Sequence, residues 1–144
     1  MLGEDVTGRP DNWPPTGGCQ AKAIIRPANT REVSEVLKLC HAVGQGVVCH
    51  GGLTGLVGGA RADTDDIVIS LERMNGMEPV DAINRTVTVD AGIPLQKVHE
   101  AAEEAALLFP LDLGARGSCT LGGKNLTNAG GDSCTTFGLD RDQV

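Results

Sequence analysis

The sequence predicts an α+β domain built from short strands, helices and two glycine-rich loops. The first observation is a strand–helix–strand pattern in which a glycine-rich loop directly follows the second strand. The second observation is a further pair of β-branched segments and one amphipathic helix in the second half of the chain. With 144 residues, 40% of them hydrophobic, the chain is long enough to enclose one packed core.

The first half of the chain predicts a surface arm followed by one β–α–β unit. Residues 1–20 are polar and rich in Gly and Pro, which is typical of an arm. Residues 21–26 predict a strand, and Thr30 is the expected N-cap of the helix that follows. Gly44 is the expected terminator of that helix, and residues 46–50 predict the second strand.

The second half predicts the start of another sheet. Residues 66–71 are strongly β-branched, and residues 86–90 alternate Val with polar side chains. Pro94 suits the first helical position of a helix with His99 on its wet face. The glycine-rich stretch 113–131 then predicts a long loop, and loops of this length in a compact domain are usually either functional or disordered. The expected division of the chain is an arm at 1–20, a first subdomain at 21–65 and a second subdomain at 66–144.

Composition excludes several classes of function. A net charge of −7, with two Phe, one Trp and no Tyr, argues against binding of nucleic acid. The five Cys are an odd number without a CxxC motif, which predicts reduced thiols and a cytoplasmic protein. We expect no signal peptide and no transmembrane segment. The three His are dispersed along the chain, so no metal site is predicted.

The glycine-rich stretch after the second predicted strand, CHGGLTGLVGG at Cys49–Gly59, is the main candidate for ligand binding. Glycines allow a tight loop whose N–H groups converge on an anion, which favours a phosphate or pyrophosphate. The stretch lacks the Gly-Lys-Ser/Thr of a P-loop and the GxGxxG of a Rossmann fingerprint. On spacing alone, a tightly packed loop without a ligand remains the alternative.

A resemblance to a known family covers about residues 21–138. It rests on the ordered segments RPANTREVSEVLKLC, VVCHGGLTGLVGG, IVISLERMN, TVTVDAGIPLQKVHEAAEEAALLFPLDLGARGSCTLGG and TNAGG. These resemble the FAD-binding domain of the vanillyl-alcohol oxidase/p-cresol methylhydroxylase (PCMH) type. The most similar branch is the FAD-linked D-2-hydroxyacid dehydrogenases, namely glycolate oxidase D subunit, D-lactate dehydrogenase and D-2-hydroxyglutarate dehydrogenase.

The resemblance implies a fold, an activity and a cofactor. The implied fold is a small β-α-β subdomain followed by the start of a second mixed sheet with helices, C-terminally incomplete. The implied activity is oxidation of a D-2-hydroxy acid by hydride transfer to FAD. Members that bind the flavin covalently through the first loop carry His where this chain has Leu53, so non-covalent FAD is implied.

The resemblance also implies which residues bind FAD. Four stretches match the family's motifs residue by residue. They are Gly51, Gly52, Leu53, Thr54, Gly55 and Leu56 around the pyrophosphate; Pro110, Leu111, Asp112 and Gly114 beside the flavin; Gly117, Ser118, Cys119, Thr120, Gly122 and Gly123 in a second binding loop; and Thr127, Asn128, Ala129, Gly130 and Gly131 near the isoalloxazine.

Departures from the family pattern concern the segment after the second binding loop. Lys124 stands where the family usually has Asn, and the segment 132–138 lacks two usual basic residues, with Phe137 in place of Tyr. The cap domain that supplies substrate-binding residues and metal-ligand histidines in this family has no counterpart here. Binding of the small 2-hydroxy acid would therefore need a cap domain or a partner subunit.

Several roles stay open on the sequence alone. No catalytic residue is assigned. Asp112 either orders its loop or touches the ligand, and Arg61 and Arg116 either neutralise phosphate or serve solubility. His50 is expected to satisfy local hydrogen bonds rather than to contact the cofactor. The alternatives for the whole chain are a truncated or degenerate flavin-binding module without activity of its own, and a phosphate-binding domain that does not take flavin.

Overall fold

The computed structural model describes residues 1–15, 17–130 and 138–139. These residues form two compact units, the first at Met1–Met74 and the second beginning at Asn75. The elements of the first unit are α1 (Glu4–Thr7), β1 (Ala23–Ile25), α2 (Thr30–Ala42), β2 (Val47–His50) and β3 (Ile67–Ser70). The elements of the second unit are α3 (Leu95–Glu104) and α4 (Leu121–Thr127).

The first unit is built on a small parallel sheet with the strand order β1–β3–β2. Ile67, the first residue of the central strand β3, pairs with Ala23 of β1 on one side and with Val47 of β2 on the other. Val68 is fully buried at the centre of the sheet. The α+β class is confirmed, and all three predicted strands of the first 71 residues are present, each slightly shorter than predicted.

Helix α2 is defined by its two ends. Asn29, rather than the predicted Thr30, is the N-cap, and its side-chain oxygen accepts from the Glu32 N–H at 3.0 Å. The predicted terminator is confirmed, because Gly44 adopts the left-handed conformation with φ +65°. The N–H of Gln45 then donates to the Cys40 carbonyl at 2.8 Å, which completes a Schellman motif.

Two residues of the segment expected to form a surface arm contribute to the core of the first unit, although most of its described residues are exposed. Val6 is 1% exposed and Cys19 is fully buried, and both belong to a hydrophobic cluster with Ile24 and Val68. The N-terminal ammonium group donates to the Ile24 carbonyl at 2.9 Å. β3 also pairs within this first unit, so the division by contacts lies after Met74 rather than at the expected residue 66.

The second unit contains isolated bridges where a second sheet was expected. Among its described residues, Met77 pairs with Val89, Asp81 with Thr86, and Pro94 with Thr120, without a continuous ladder. The predicted strand at 86–90 is therefore one arm of a hairpin. The Asp81 carboxylate fixes the turn of that hairpin by accepting from two backbone N–H groups at 3.0 Å.

Helix α3 differs from its prediction at its start and on its outer face. Pro94 is the N-cap, not the first helical residue. The predicted inner positions Leu95 and Val98 are buried, as expected. His99 was expected on the wet face but is only 7% exposed, because a backbone carbonyl satisfies its ring nitrogen inside the protein.

A second correction concerns the glycine-rich stretch 113–131, which was expected to be loop throughout. Seven of its residues form α4. Across the described part of the chain, no helix combines the length and the apolar composition that spanning a membrane requires.

Candidate functional site

The first glycine-rich loop begins where β2 ends. The Leu71 N–H donates to the His50 carbonyl at 3.0 Å, so the last residue of β2 is held by β3. Beyond it, residues 51–54 are half-buried and residues 55–59 are exposed. Ligands of parallel α/β sheets bind beyond the carboxyl ends of the strands, and this loop occupies that position on β2.

The backbone N–H groups of this loop do not donate hydrogen bonds to other groups in the described part of the chain. Within the described residues, none of the nine N–H groups of residues 51–59 donates a hydrogen bond to another protein group. A methyl group built on Gly55, Gly58 or Gly59 would meet nothing within 4 Å, so the loop borders open space. Unpaired donors on an open, glycine-rich turn have the chemistry of an anion-binding nest.

Leu53 is a feature of the loop that the sequence did not reveal. Its φ of 56° places a branched side chain in the left-handed region, and Gly58 has a φ of +74°. A non-glycine residue in this region costs roughly 1–2 kcal/mol. No local signal distinguishes Leu53, since Gly or Asn is the usual residue at such a position. The loop is therefore held in its shape by contacts outside it.

One such contact comes from His50. Its ring is 4% exposed, and Nε2 lies 2.7 Å from the Ala60 carbonyl oxygen. Because a carbonyl only accepts, Nε2 carries the proton. Burial lowers the pKa of His50; the Ala60 bond and the Asp11 carboxylate oppose this, and the Arg9 guanidinium adds to it. His50 thus satisfies a local hydrogen bond, as expected, and joins both ends of the loop.

Asp11 and Arg9 were not singled out from the sequence, because they lie in the segment expected to be an arm. Asp11 is 4% exposed, and its Oδ1 has no hydrogen-bond partner among the described residues. Arg9 pairs through both terminal nitrogens with the Glu72 carboxylate, which also pairs with Arg26. These charges lie in the first unit with His50.

The second candidate loop is tied to the start of α3. The Leu95 N–H donates to the Cys119 carbonyl at 3.0 Å, and the Gln96 N–H donates to the Arg116 carbonyl at 2.9 Å. Of its predicted binding residues, Leu111, Cys119 and Thr120 are buried, Pro110 and Asp112 are half-buried, and Gly114, Gly117 and Ser118 are exposed. The segment is ordered by backbone hydrogen bonds rather than by a regular element.

Asp112 pairs with Arg116. The Asp112 Oδ2 lies 3.3 Å from an Arg116 guanidinium nitrogen, and both side chains are partly exposed. The Asp112 Oδ1 is buried without a hydrogen-bond partner among the described residues, so both roles considered for Asp112, ordering of the loop and contact with the ligand, stay predictions. Arg116 has a carboxylate partner within its own segment.

Helix α4 packs closely on the chain before α3. A Cβ built on Gly122 would lie 2.6 Å from the Ala91 Cβ, and the Gly122 N–H donates to the Ala91 carbonyl at 2.8 Å. Thr120 precedes the helix, and its buried Oγ1 has no hydrogen-bond partner among the described residues. Lys124, which replaces the usual Asn of the family, is only 3% exposed.

The end of α4 contains the last described site residues. Asn128 adopts the left-handed conformation with φ 51°, which Asn tolerates better than most residues. Thr127 and Gly130 are exposed, and Asn128 and Ala129 are half-buried. Gly131 and the departures expected at 132–137 lie outside the described residues.

The second unit also holds a cavity of about 830 Å³. This volume lies within the range of small-molecule sites. Two predicted FAD-binding residues, Pro110 and Gly122, line it together with apolar residues that include Val87, Val89, Phe109 and Leu126. The other predicted residues that the structure describes do not line this cavity. Among the described residues, no three His, Cys, Asp or Glu side chains are grouped so that they could hold a metal ion.

Comparison with protein families gives a match to the family described as FAD binding domain, over residues 21–144. The D-2-hydroxyglutarate dehydrogenase of Xanthomonas citri pv. viticola is 44% identical over 142 residues, which are 99% of this chain and 29% of that protein. The mitochondrial D-2-hydroxyglutarate dehydrogenase of Bos taurus is 36% identical over 133 residues, covering 92% of this chain and 24% of that protein.

Comparison with solved structures gives the fold. The crystal structure of 6-hydroxy-D-nicotine oxidase from Arthrobacter nicotinovorans superposes with a TM-score of 0.82 at 16% identity, covering 99% of this chain and 31% of that chain. The chain thus spans between about a quarter and a third of the relatives it matches.

Gly122 provides a test of the packing of α4. We expect Gly122→Ala to lower the free energy of unfolding by about 1–3 kcal/mol, because the new methyl group overlaps Ala91. Urea denaturation followed by circular dichroism measures the change. Gly114→Ala is the matched control, since a methyl group there meets nothing within 4 Å. Equal stabilities of the two variants would contradict the packing described.

His50 predicts a pH dependence of stability. Its pKa in the folded chain is lowered from 6.5, so the unfolded chain binds more protons at mildly acid pH. The free energy of unfolding should therefore fall as the pH drops through 6.5 and level off below the folded pKa. Urea denaturation across this pH range measures the loss.

Two variants separate this effect from other titrations. His50→Gln should remove the component, whereas His41→Gln should keep it, because His41 is exposed on α2. An unchanged pH profile in His50→Gln would show that another group is responsible.

Proposed function

The chain belongs to the FAD binding domain family, and from this we propose that it is the cofactor-binding part of a flavin-dependent oxidoreductase acting on a D-2-hydroxy acid. FAD is the cofactor of the family. The whole-protein activity is an inference from relatives of which this chain spans 29% and 24%.

The donor set of the first loop carries the proposal. A pyrophosphate offers several anionic oxygens, and the N–H groups of residues 51–59 have no acceptors among the described residues. Gly51, Gly52, Leu53, Thr54, Gly55 and Leu56 would hold it. The chemistry of this loop therefore fits the diphosphate of FAD, and no side-chain cation is needed to make the contact.

The second unit fits the flavin side of the cofactor. Pro110, Leu111, Asp112 and Gly114, together with residues 117–120 and the first turn of α4, would lie beside the ring, with Thr127 to Gly130 following. The buried Thr120 Oγ1 without a partner among the described residues is a polar atom that a cofactor could satisfy. The cavity beside Pro110 and Gly122 is lined mainly by apolar residues, with Arg85, Thr86, Thr88 and Asn125 as polar groups, which is the mixture that a flat ring with polar edges requires.

Attachment of FAD is proposed to be non-covalent. Leu53, which stands where covalent members carry His, offers no nucleophilic atom. When bound, FAD supplies the two-electron acceptor for the hydride that leaves the α-carbon of a 2-hydroxy acid. This chain's residues bind and orient the cofactor, and no general base is assigned to it.

The proposed substrate class follows from the relatives. Two of them are named as D-2-hydroxyglutarate dehydrogenases, from a bacterium and from a mammal. We therefore infer D-2-hydroxyglutarate as the first candidate, with D-lactate and glycolate as related 2-hydroxy acids. Binding of any of them is proposed to need a cap domain or partner subunit.

FAD titration tests the proposal. Addition of FAD to the purified chain should shift the visible flavin spectrum and change flavin fluorescence with a saturable profile. ADP should compete, because it carries the pyrophosphate, and riboflavin should compete more weakly, because it carries the ring but no phosphate. Binding of ADP without any binding of FAD would favour a phosphate-binding domain and overturn the proposal.

A pair of variants tests the position of the pyrophosphate. A methyl group at Gly55 or at Gly59 meets nothing within 4 Å, so both Ala variants should fold normally. Gly55→Ala should weaken FAD binding about tenfold or more, because the methyl group would meet the pyrophosphate. Gly59→Ala lies outside the proposed contact and should bind as the parent chain does.

Anaerobic addition of D-2-hydroxyglutarate to the FAD-loaded chain then tests turnover. Bleaching of the flavin would assign the activity to the chain itself. FAD binding without bleaching would favour a binding module that needs a further domain. The same experiment with D-lactate and glycolate ranks the three 2-hydroxy acids by the rate at which each bleaches the flavin.

A further inference from the structure

Each unit contains one buried histidine that donates to a carbonyl of a proposed cofactor loop. His50 is 4% exposed, with Nε2 2.7 Å from the Ala60 oxygen. His99 is 7% exposed, with Nε2 2.8 Å from the Leu111 oxygen. Neither is among the residues that the family resemblance implies for FAD contact. The same contact thus occurs independently in both units.

The two carbonyls lie at positions that matter for the shape of the loops. Ala60 directly follows the first loop, whereas His50 directly precedes it, so one hydrogen bond joins both ends of a ten-residue span. Leu111 lies at the beginning of the second loop, twelve residues after His99 in α3. A hydrogen bond that closes a loop of this size reduces the conformational entropy of its backbone in the free protein. Less entropy is then lost when a ligand binds to the loop.

The burial of both rings makes these bonds hard to replace by water. A buried carbonyl that loses its donor loses free energy unless another donor reaches it. Phe109 packs edge-on against His99, with ring centroids 5.7 Å apart and an interplanar angle of 84°, which fixes the plane of the imidazole. In the first unit, the strand position of His50 is fixed by the Leu71 N–H bond to its carbonyl.

We propose that His50 and His99 are positioning residues, each holding one cofactor loop in the conformation that accepts FAD. His50 closes residues 51–60 onto the end of β2, and His99 anchors the segment that begins at Leu111. The part of the proposal that concerns FAD affinity rests on the proposed function. The part that concerns loop closure does not need it.

Hydrogen–deuterium exchange of the cofactor-free chain tests loop closure. His50→Ala should speed exchange of the Arg61 and Leu71 N–H groups, which donate to the Gly58 and His50 carbonyls at the two ends of the first loop, by roughly three- to tenfold, the effect of one lost hydrogen bond, and leave residues 111–120 unchanged. His99→Ala should do the reverse. His50→Gln and His99→Gln keep an amide donor and should restore much of the protection. His41→Ala, exposed on α2, should change neither region.

The outcomes separate positioning from general stability. Faster exchange throughout a unit, with no rescue by Gln, would mean that the histidine only supports the core and would overturn the proposal for that loop. Unchanged exchange in its own loop would overturn it as well. If an Ala variant does not fold, the Gln variant must keep the local protection of the parent chain, and failure to do so counts against the proposal.

FAD affinity provides the second readout. Each Ala variant should bind FAD roughly three- to tenfold more weakly, with partial rescue in the Gln variant. Local loop opening without any change in FAD affinity would show that closure is unrelated to the cofactor. If the parent chain does not bind FAD at all, the proposed function fails, while the exchange data still decide whether the histidines close the loops.

Discussion

The parallel pairing of β3 with both β1 and β2 is the interaction on which the first unit depends. It places Val68 at the centre of the core and holds the end of β2 against Leu71. Because the strands are parallel, the carboxyl end of β2 opens into a loop at the edge of the sheet rather than into a hairpin. The glycine-rich loop therefore starts from a fixed backbone, although its own N–H groups have no acceptors among the described residues.

Local sequence signals predicted the elements of the first unit well. The strands, the helix between them and its end at Gly44 depend on patterns within a few residues of each other. The N-cap was displaced by one residue because Asn29 and Thr30 are both good caps, and only the backbone conformation decides between them. The burial of Val6 and Cys19 was missed since the polar composition of their segment does not reveal that these two residues face a core built elsewhere in the chain.

The part of the candidate site that consists of a glycine-rich loop could be predicted from the sequence. The parts that depend on contacts between distant residues could not. The loop at residues 51–59 stands out in the sequence, and the structure shows its donors to be available. His99 was assigned to the solvent because helical periodicity places it beside glutamates, whereas its partner carbonyl lies twelve residues further along. α4 was missed because Gly122 and Gly123 lower helix propensity, and packing on Ala91 outweighs that preference.

The use of backbone rather than side-chain donors in the first loop has a consequence for how this protein tolerates mutation. A substitution at Thr54 or Leu56 changes a side chain but leaves the N–H group at that position in place. Sequence drift at such positions can therefore proceed without loss of the proposed anion site, provided that the backbone path is kept. The vulnerable positions are Gly55, where a methyl group would project into the proposed site, and the residues outside the loop that set its backbone path. For such a site, a disabling substitution is as readily found outside the contact residues as among them.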